Sequence, residues 1–113
     1  MSSTSRVLKA YGSASALRSQ REQDAEIFRR VSAGLRSVSD EMSKVRAIAD
    51  ARRLWQTVLA ANHDPLNPLP APLRAQIIAV ANTALRTTDD AQPNLPFLAE
   101  IADNFAAGLS GQR

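Results

Sequence analysis

The side chains that commonly do chemistry in enzymes are few in this chain of 113 residues, and they are far apart in the sequence. His63 is the only histidine, cysteine is absent, and Asp89 and Asp90 form an adjacent acidic pair in a polar stretch. Nucleophilic catalysis needs a base placed by further polar groups, and metal sites need clustered His, Cys or carboxylates. The glycines at positions 12, 34, 108 and 111 are too scattered to form a phosphate-binding loop. We therefore expect a binding protein and not an enzyme, with no cofactor, no metal and no small-molecule substrate.

The stretch from Arg52 to Arg74 has the strongest local signals in the sequence. It contains the only tryptophan and four of the six prolines. An apolar helical stripe stops at Asn62, and the prolines at 65, 68 and 70 each remove an amide donor and push the preceding residue toward an extended conformation. The pattern predicts a helix, a stiff corner and a next helix, with Pro72 in the first turn of that next helix.

Apolar residues recur three or four apart in four segments, which is the period of a helix face. We expect helix 1 to start near Ser19, a break at Ser39 or Asp40, and Trp55 as the central core residue of helix 2, because a buried tryptophan covers about 150 Å² or more. Gly34 either permits close approach of a neighbouring helix or is simply tolerated. The prediction is an all-α, compact bundle of about four helices over residues 19–110. Its expected inner residues in helices 1 and 2 are Ala25, Phe28, Val31, Leu35, Val38, Met42, Val45, Ile48, Ala49, Trp55, Val58 and Leu59.

Residues 1–18 are predicted to be a flexible N-terminal segment. The first 21 residues contain six serines and four basic residues but no acid. On composition alone this resembles an organellar presequence, but a polar flexible terminus is the interpretation we favour. Only Tyr11 and Leu17 are expected to touch the fold. No apolar run approaches the roughly 20 residues needed to cross a bilayer, so we expect a soluble chain without membrane insertion.

Charge is divided unequally along the chain. Residues 1–53 hold eleven Lys and Arg against six Asp and Glu, whereas residues 54–113 hold three against five. A basic half attracts nucleic acid or an acidic protein surface. We favour solvated helix faces, because the arginines are interleaved with acids and not with aromatic residues for base stacking. Nucleic acid is therefore not the expected partner.

Several elements of the sequence together resemble one known family. They are Leu54-Trp55, Pro65, Asn67, Leu69-Pro70 and Leu73-Arg74, with Tyr11, Arg21-Glu22, Glu26, Leu98, Ile101 and Gly108-Leu109 agreeing in order and spacing. At these distances they resemble the signature of the flagellar biosynthesis regulator FlaF family, over about residues 11–109. The chain differs from the family pattern in having alanine at positions 51, 61 and 102, where family members often carry polar side chains.

The resemblance implies a small helical protein that is needed for flagellin production and export. Its implied partners are flagellin and an FlbT-type translational repressor, which it opposes. Its implied role is that of a cytoplasmic secretion chaperone for flagellin. Flagellin's terminal helices are amphipathic, and an aliphatic groove between helices can cover such a face. The predicted flagellin groove consists of Leu54, Leu59, Leu66, Leu69, Leu73, Arg74 and Ile77, with Leu98, Ile101 and Phe105 on a movable fourth helix. The alternative is that all of these are ordinary core residues.

Two hypotheses from other functional classes remain open. One is an RNA-binding post-transcriptional regulator of flagellin mRNA that acts through the basic half, and it predicts affinity that falls steeply with salt. The other is a homo-oligomeric structural adaptor, which concentration-dependent sedimentation would reveal.

Overall fold

The computed structural model describes the backbone of residues 3–111 and the side chains of residues 16 and 18–111. Four helices make up this part of the chain, and it contains no β-strand, which confirms the predicted all-α bundle. They are α1 (Ser3–Arg36), α2 (Glu41–His63), α3 (Ala71–Thr88) and α4 (Leu95–Leu109).

The first helix begins at Ser3, well before the start near Ser19 that the periodicity predicted. Periodicity locates only the apolar stripe, and a helix can extend beyond that stripe. The predicted contacts of Tyr11 and Leu17 fall outside the described side chains. That residues 1–18 form a flexible segment stays a prediction.

The break between α1 and α2 lies where the sequence predicted it. Asp40 is the N-cap of α2, and its carboxylate accepts a hydrogen bond from the Ser43 amide at 2.7 Å. In return, the Ser43 hydroxyl accepts from the Asp40 amide at 3.1 Å, which completes a capping box. The hydrogen bonds from Ser43, the backbone one above all, lower the pKa of the Asp40 carboxyl.

The four helices pack mainly as two pairs. The α1 helix packs along α4, α2 packs along α3, and a smaller contact joins α1 to α2. An ion pair links α1 to α4, because the Arg36 guanidinium lies 2.8 Å from the Asp103 carboxylate. The Ser32 hydroxyl and then Arg36 hold the pKa of the Asp103 carboxyl below its usual value, against the raising effect of burial.

Arg52 of α2 forms hydrogen bonds with the C-terminal end of α3. The Arg52 guanidinium donates to the Thr88 carbonyl and to the Asp89 carboxylate, both at 3.1 Å. Because the Asp89 side chain is 72% exposed and the Arg52 side chain 39%, solvent screens this ion pair, which contributes no more than about 1 kcal/mol.

Three aromatic rings from three helices form the centre of the core. Trp55 of α2 is completely buried, and its ring centroid lies 5.7 Å from Phe28 of α1 and 5.0 Å from Phe105 of α4. The two phenylalanine rings stack on each other at 5.5 Å. Such pairs contribute about 0.5–1.5 kcal/mol each beyond the apolar area that they bury.

Alanines fill most of the remaining core. The buried residues of α2 are Ala47, Ala51, Trp55 and Asn62. Of the predicted inner residues of α2, Trp55 is buried and Val58 and Leu59 pack against the core, whereas Val45 is exposed. Val45 is 57% exposed and Met42 is 66% exposed, whereas Ala47 and Ala51 are buried. Gly34 has open space where a Cβ would lie, so this glycine is tolerated and does not serve close packing. The other buried alanines are Ala25, Ala81, Ala84, Ala99, Ala102 and Ala106.

Candidate partner-binding groove

An open groove lies between α1 and α2, and we call it the interhelical groove. One part of it, the apolar end, encloses about 300 Å³ and is bounded by all four helices and the corner, residues 64–70. Its lining is apolar apart from a few polar side chains. The lining residues are Asp24, Ile27, Phe28, Leu54, Thr57, Val58, Ala61, Asn62, Leu69, Ile77, Phe105 and Leu109.

The groove continues along α1 and α2 into a second part, which we call the arginine end. This part encloses about 430 Å³ and shares Ile27, Leu54 and Thr57 with the apolar end. Arg30 and Arg53 lie in its lining, one on each helix. Its remaining lining residues are Val31 and Asp50.

Two core aromatic residues form the floor of the apolar end. Phe28 and Phe105 line the groove and also contact Trp55, so they are fixed by packing on the side away from solvent. A surface held in this way is largely preformed, and a partner pays little ordering cost at the groove floor.

The corner holds Leu69 at the edge of the groove. Asn67 fixes the corner at two points, because its side-chain amide donates to the Ala61 carbonyl at 2.8 Å and its Oδ1 accepts from the Leu69 amide at 2.9 Å. Arg74 adds a third bond, from its Nε to the Leu69 carbonyl at 3.0 Å. Pro68 and Pro70 on either side of Leu69 restrict the backbone further. The position of this leucine is therefore set by the backbone and not by a core contact.

Two apolar side chains at the groove remain open to solvent. Ile27 on α1 is 47% exposed and Leu69 is 39% exposed. Full burial of such a side chain is worth about 1.5–3 kcal/mol, so covering these two half-exposed residues would contribute roughly 1 kcal/mol each.

Asn62 is the buried polar residue of the groove. It is 7% exposed, and its Nδ2 donates to the Val58 carbonyl of its own helix at 2.9 Å. Its Oδ1 has no hydrogen-bond partner among the described residues. A buried acceptor without a partner costs about 1–3 kcal/mol.

The described residues contain no group of three or more His, Cys, Asp or Glu side chains placed to hold a metal ion. Within the same residues, no helix is long and apolar enough to span a membrane.

Comparison with known proteins gives one informative match. The family model of flagellar protein FlaF matches residues 7–109, which is nearly the whole chain. The chain belongs to the FlaF family. It is therefore a flagellar protein, as the sequence elements around Trp55 indicated. Comparison with curated proteins and with solved structures gives no significant match.

The FlaF signature elements have structural roles in and around the groove. Leu54 of the Leu54-Trp55 pair lines the groove while Trp55 is buried behind it. Asn67 and Arg74 fix the corner through the hydrogen bonds described above. Of the three alanines that differ from the family pattern, Ala51 and Ala102 are fully buried and Ala61 lines the groove.

The structure brings together four of the residues predicted to form the flagellin groove, namely Leu54, Leu69, Ile77 and Phe105. Leu59 packs against the core, and Arg74 acts on the corner backbone. Leu66 and Leu73 are exposed but lie outside the groove lining. The function of all these residues stays a prediction.

The predicted α4 residues divide between core and surface. Leu98 is completely buried, so it is a core residue and not an accessible wall. Ile101 lines a separate depression of about 340 Å³ with Val80, Thr83, Phe97 and Ala79. Of the three predicted α4 residues, only Phe105 lines the groove.

Sequence reasoning missed Ile27, Asn62, Arg30, Arg53 and Leu109 as groove residues. Ile27 offered a signal, because it is a large apolar residue one position away from the inner stripe that contains Phe28. Asn62 offered another, because it follows Trp55 by seven residues and therefore lies on the same helix face. The two arginines looked like any solvated helix residues.

Proposed function

We propose that this FlaF-family protein is a cytoplasmic chaperone that binds flagellin before its export. The interhelical groove covers the apolar face of an amphipathic flagellin helix, which would otherwise aggregate before assembly. As a binding protein it needs no catalytic residue, cofactor or small-molecule substrate. In this proposal the protein also promotes flagellin synthesis and opposes an FlbT-type repressor.

The observation that carries the proposal is a preformed apolar groove whose edges are exposed. Phe28 and Phe105 form a floor that is fixed by Trp55, while Ile27 and Leu69 are only half covered. Helix-in-groove recognition uses this arrangement, in which apolar anchors three or four residues apart enter a hydrophobic groove. The groove extends over several turns of α2, from Asp50 to Asn62, so a partner helix of several turns can lie along it.

Two leucines of similar exposure provide a matched test. Leu69 lines the groove and is 39% exposed, whereas Leu73 lies outside the groove lining and is 42% exposed. We expect Leu69→Asp to weaken flagellin binding at least tenfold, because the variant places a charge at an apolar contact. Leu73→Asp adds the same charge and should leave the affinity within about twofold.

Titration calorimetry with purified monomeric flagellin measures both variants. Circular dichroism establishes that each is folded. Equal affinities for the two variants would contradict the placement of flagellin in the groove.

Repeating the titration at two salt concentrations separates the proposal from RNA binding. An apolar groove predicts an affinity that changes little with salt, whereas phosphate contacts predict a steep fall. Sedimentation over a range of concentrations tests the oligomeric adaptor. Binding to RNA alone, or self-association without flagellin binding, would replace the chaperone proposal.

A further inference from the structure

We propose that the two helix pairs, α1 with α4 and α2 with α3, open and close about a hinge, and that a partner in the interhelical groove holds them closed. The opening is a property of the chain alone and needs no partner. Its effect on binding rests on the proposed function, which it deepens by naming how the groove is regulated.

Polar contacts are the first observation. Among the described residues, side-chain hydrogen bonds and ion pairs between helices join the members of a pair and not one pair to the other. Arg36 of α1 binds Asp103 of α4, and Arg52 of α2 binds the end of α3. The hydrogen bonds of Asn67 and Arg74 hold the corner between α2 and α3. Because hydrogen bonds are directional, each pair is held as a unit, whereas the contact between the pairs is apolar.

The interface between the pairs is open at two places. The interhelical groove separates α1 from α2, and the depression of about 340 Å³ separates α3 from α4. Between the pairs, Trp55 of α2 contacts Phe28 of α1 and Phe105 of α4. An interface with such openings loses fewer apolar contacts on separation than one that is filled along its whole length.

Both connections between the pairs lie at one end of the molecule, which we call the connection end. Residues 37–40 link α1 to α2, and residues 89–94 link α3 to α4. One depression lies beside both connections, and it is lined by Leu35, Arg36, Val38, Leu95 and Pro96. Hinges are formed by a few loop or helix-terminal residues that absorb a change in backbone angles, so two short connections side by side suit this role.

At the other end, which we call the corner end, no connection joins the two pairs among the described residues. The corner joins α2 to α3, which belong to the same pair, and α4 ends at Leu109. The apolar end of the groove lies here, since Leu109 of one pair and Leu69 of the corner both line it. Rotation about the connection end therefore widens the groove most at its apolar end.

The buried indole of Trp55 favours such an opening. Its Nε1 has no acceptor among the described residues, and Phe28 and Phe105 of the other pair lie against its ring. An unpaired buried donor destabilises the closed form. When the pairs separate, water reaches this donor and offsets part of the lost ring contacts. We expect an open form at a population of about 0.1–10%.

Opening and binding are linked, because both pairs contribute to the lining of the groove. Phe28 and Phe105 come from one pair, and Leu54 and Leu69 come from the other. A partner that contacts both pairs binds the closed form more tightly and therefore shifts the equilibrium toward it.

Relaxation-dispersion NMR of the free chain measures the opening, because it detects minor states that exchange in microseconds to milliseconds. Methyl groups of Ile27, Val58 and Leu109 should show exchange with one shared rate and population. Leu66 and Leu73 are exposed outside the groove lining and should show none. Absence of exchange at the first three residues, or exchange with unrelated rates, would overturn the inference.

Two leucines of α4 test where the hinge lies. Leu95 at the connection end and Leu109 at the corner end are both half-buried and pack against the core. We expect Leu109→Ala to raise the ratio of open to closed form at least about threefold, because its contacts are lost on opening. Leu95→Ala should leave this ratio within about 1.5-fold, although it also lowers global stability in urea unfolding.

Circular dichroism establishes that both leucine variants are folded. If Leu109→Ala does not fold, Leu109→Val gives the same comparison with a smaller expected increase in the open form. Equal effects of substitution at Leu95 and Leu109 would overturn the hinge at the connection end.

Addition of monomeric flagellin distinguishes this inference from the proposed function. Bound flagellin should suppress the exchange, and exchange that persists at saturation would overturn the link between opening and binding. If the free chain opens but flagellin does not bind, the hinge stands and the chaperone proposal is wrong. If flagellin binds to a chain that shows no exchange when free, the chaperone proposal stands and this inference is wrong.

Discussion

Replacement of Trp55 tests the central packing arrangement. The side chain is completely buried and makes edge-to-face contacts with Phe28 and Phe105 at centroid distances of 5.7 and 5.0 Å. Truncation of a buried tryptophan to alanine costs about 3–5 kcal/mol. Because a domain of this size is stable by only about 5–15 kcal/mol, we expect Trp55→Ala to lose a large part of the free energy of unfolding.

Trp55→Phe separates packing from polarity at the same position. The indole Nε1 is buried and has no acceptor among the described residues, and such a donor costs about 1–3 kcal/mol. Phenylalanine keeps one aromatic ring and removes this donor, so the loss of packing is partly offset. We expect Trp55→Phe to cost about 1 kcal/mol or less, with its ring still in contact with the two phenylalanines.

Urea unfolding followed by far-ultraviolet circular dichroism measures both variants, since neither retains tryptophan fluorescence. Leu66→Ala is a suitable control, because Leu66 is 87% exposed and its truncation should change stability by less than about 0.5 kcal/mol. The packing argument would be refuted if Trp55→Ala stayed within about 1 kcal/mol of the original chain, or if Trp55→Phe cost as much as Trp55→Ala.

Three further predictions concern a helix cap, a glycine inside a helix and the titration of a carboxyl group. Asn94 Oδ1 accepts from the Phe97 amide at 3.1 Å, so Asn94→Ala should lower stability by about 1 kcal/mol in thermal unfolding, while Asn94→Asp retains the cap. Gly34 lies inside α1 with open space around its Cβ position, so Gly34→Ala should stabilise the fold by about 0.5–1 kcal/mol, and a lower melting temperature would contradict this. The pKa of Asp103 is lower in the folded chain than in the unfolded chain, so its ionised form stabilises the fold above about pH 4 and this contribution is lost as pH falls through the folded-state pKa. Unfolding of Asp103→Asn between pH 5 and 2 should therefore depend less on pH than that of the original chain, and identical slopes would contradict the assignment.

Local signals predicted both boundaries of α2 well. The α2 helix begins after Asp40 because a short acidic side chain there can cap the free amides, and it ends at His63 because prolines follow. These effects act within a few residues and can therefore be read from the sequence. The start of α1 at Ser3 was not predicted, because a Ser-rich and basic segment gives no apolar stripe.

Which apolar residues lie inside depends on distances between helices, and periodicity alone did not decide it for α2. Val45 and Ile48 looked like better core residues than Ala47 and Ala51, but the alanines are the buried residues. The groove has the same origin. Leu69 lines it because Asn67 holds the corner against the end of α2, and these side-chain hydrogen bonds have no signature in hydrophobic spacing.

The most direct measurement of the chaperone proposal is the methyl spectrum of the chain during titration with monomeric flagellin. Isotope-labelled methyl groups of Ile, Leu and Val report local contact at each side chain. We predict large changes at Ile27, Leu54 and Leu69 in the groove and none at Leu66 or Leu73, which are exposed elsewhere. Changes confined to residues outside the groove, or an unchanged spectrum at saturating flagellin, would contradict the proposal that the interhelical groove binds flagellin.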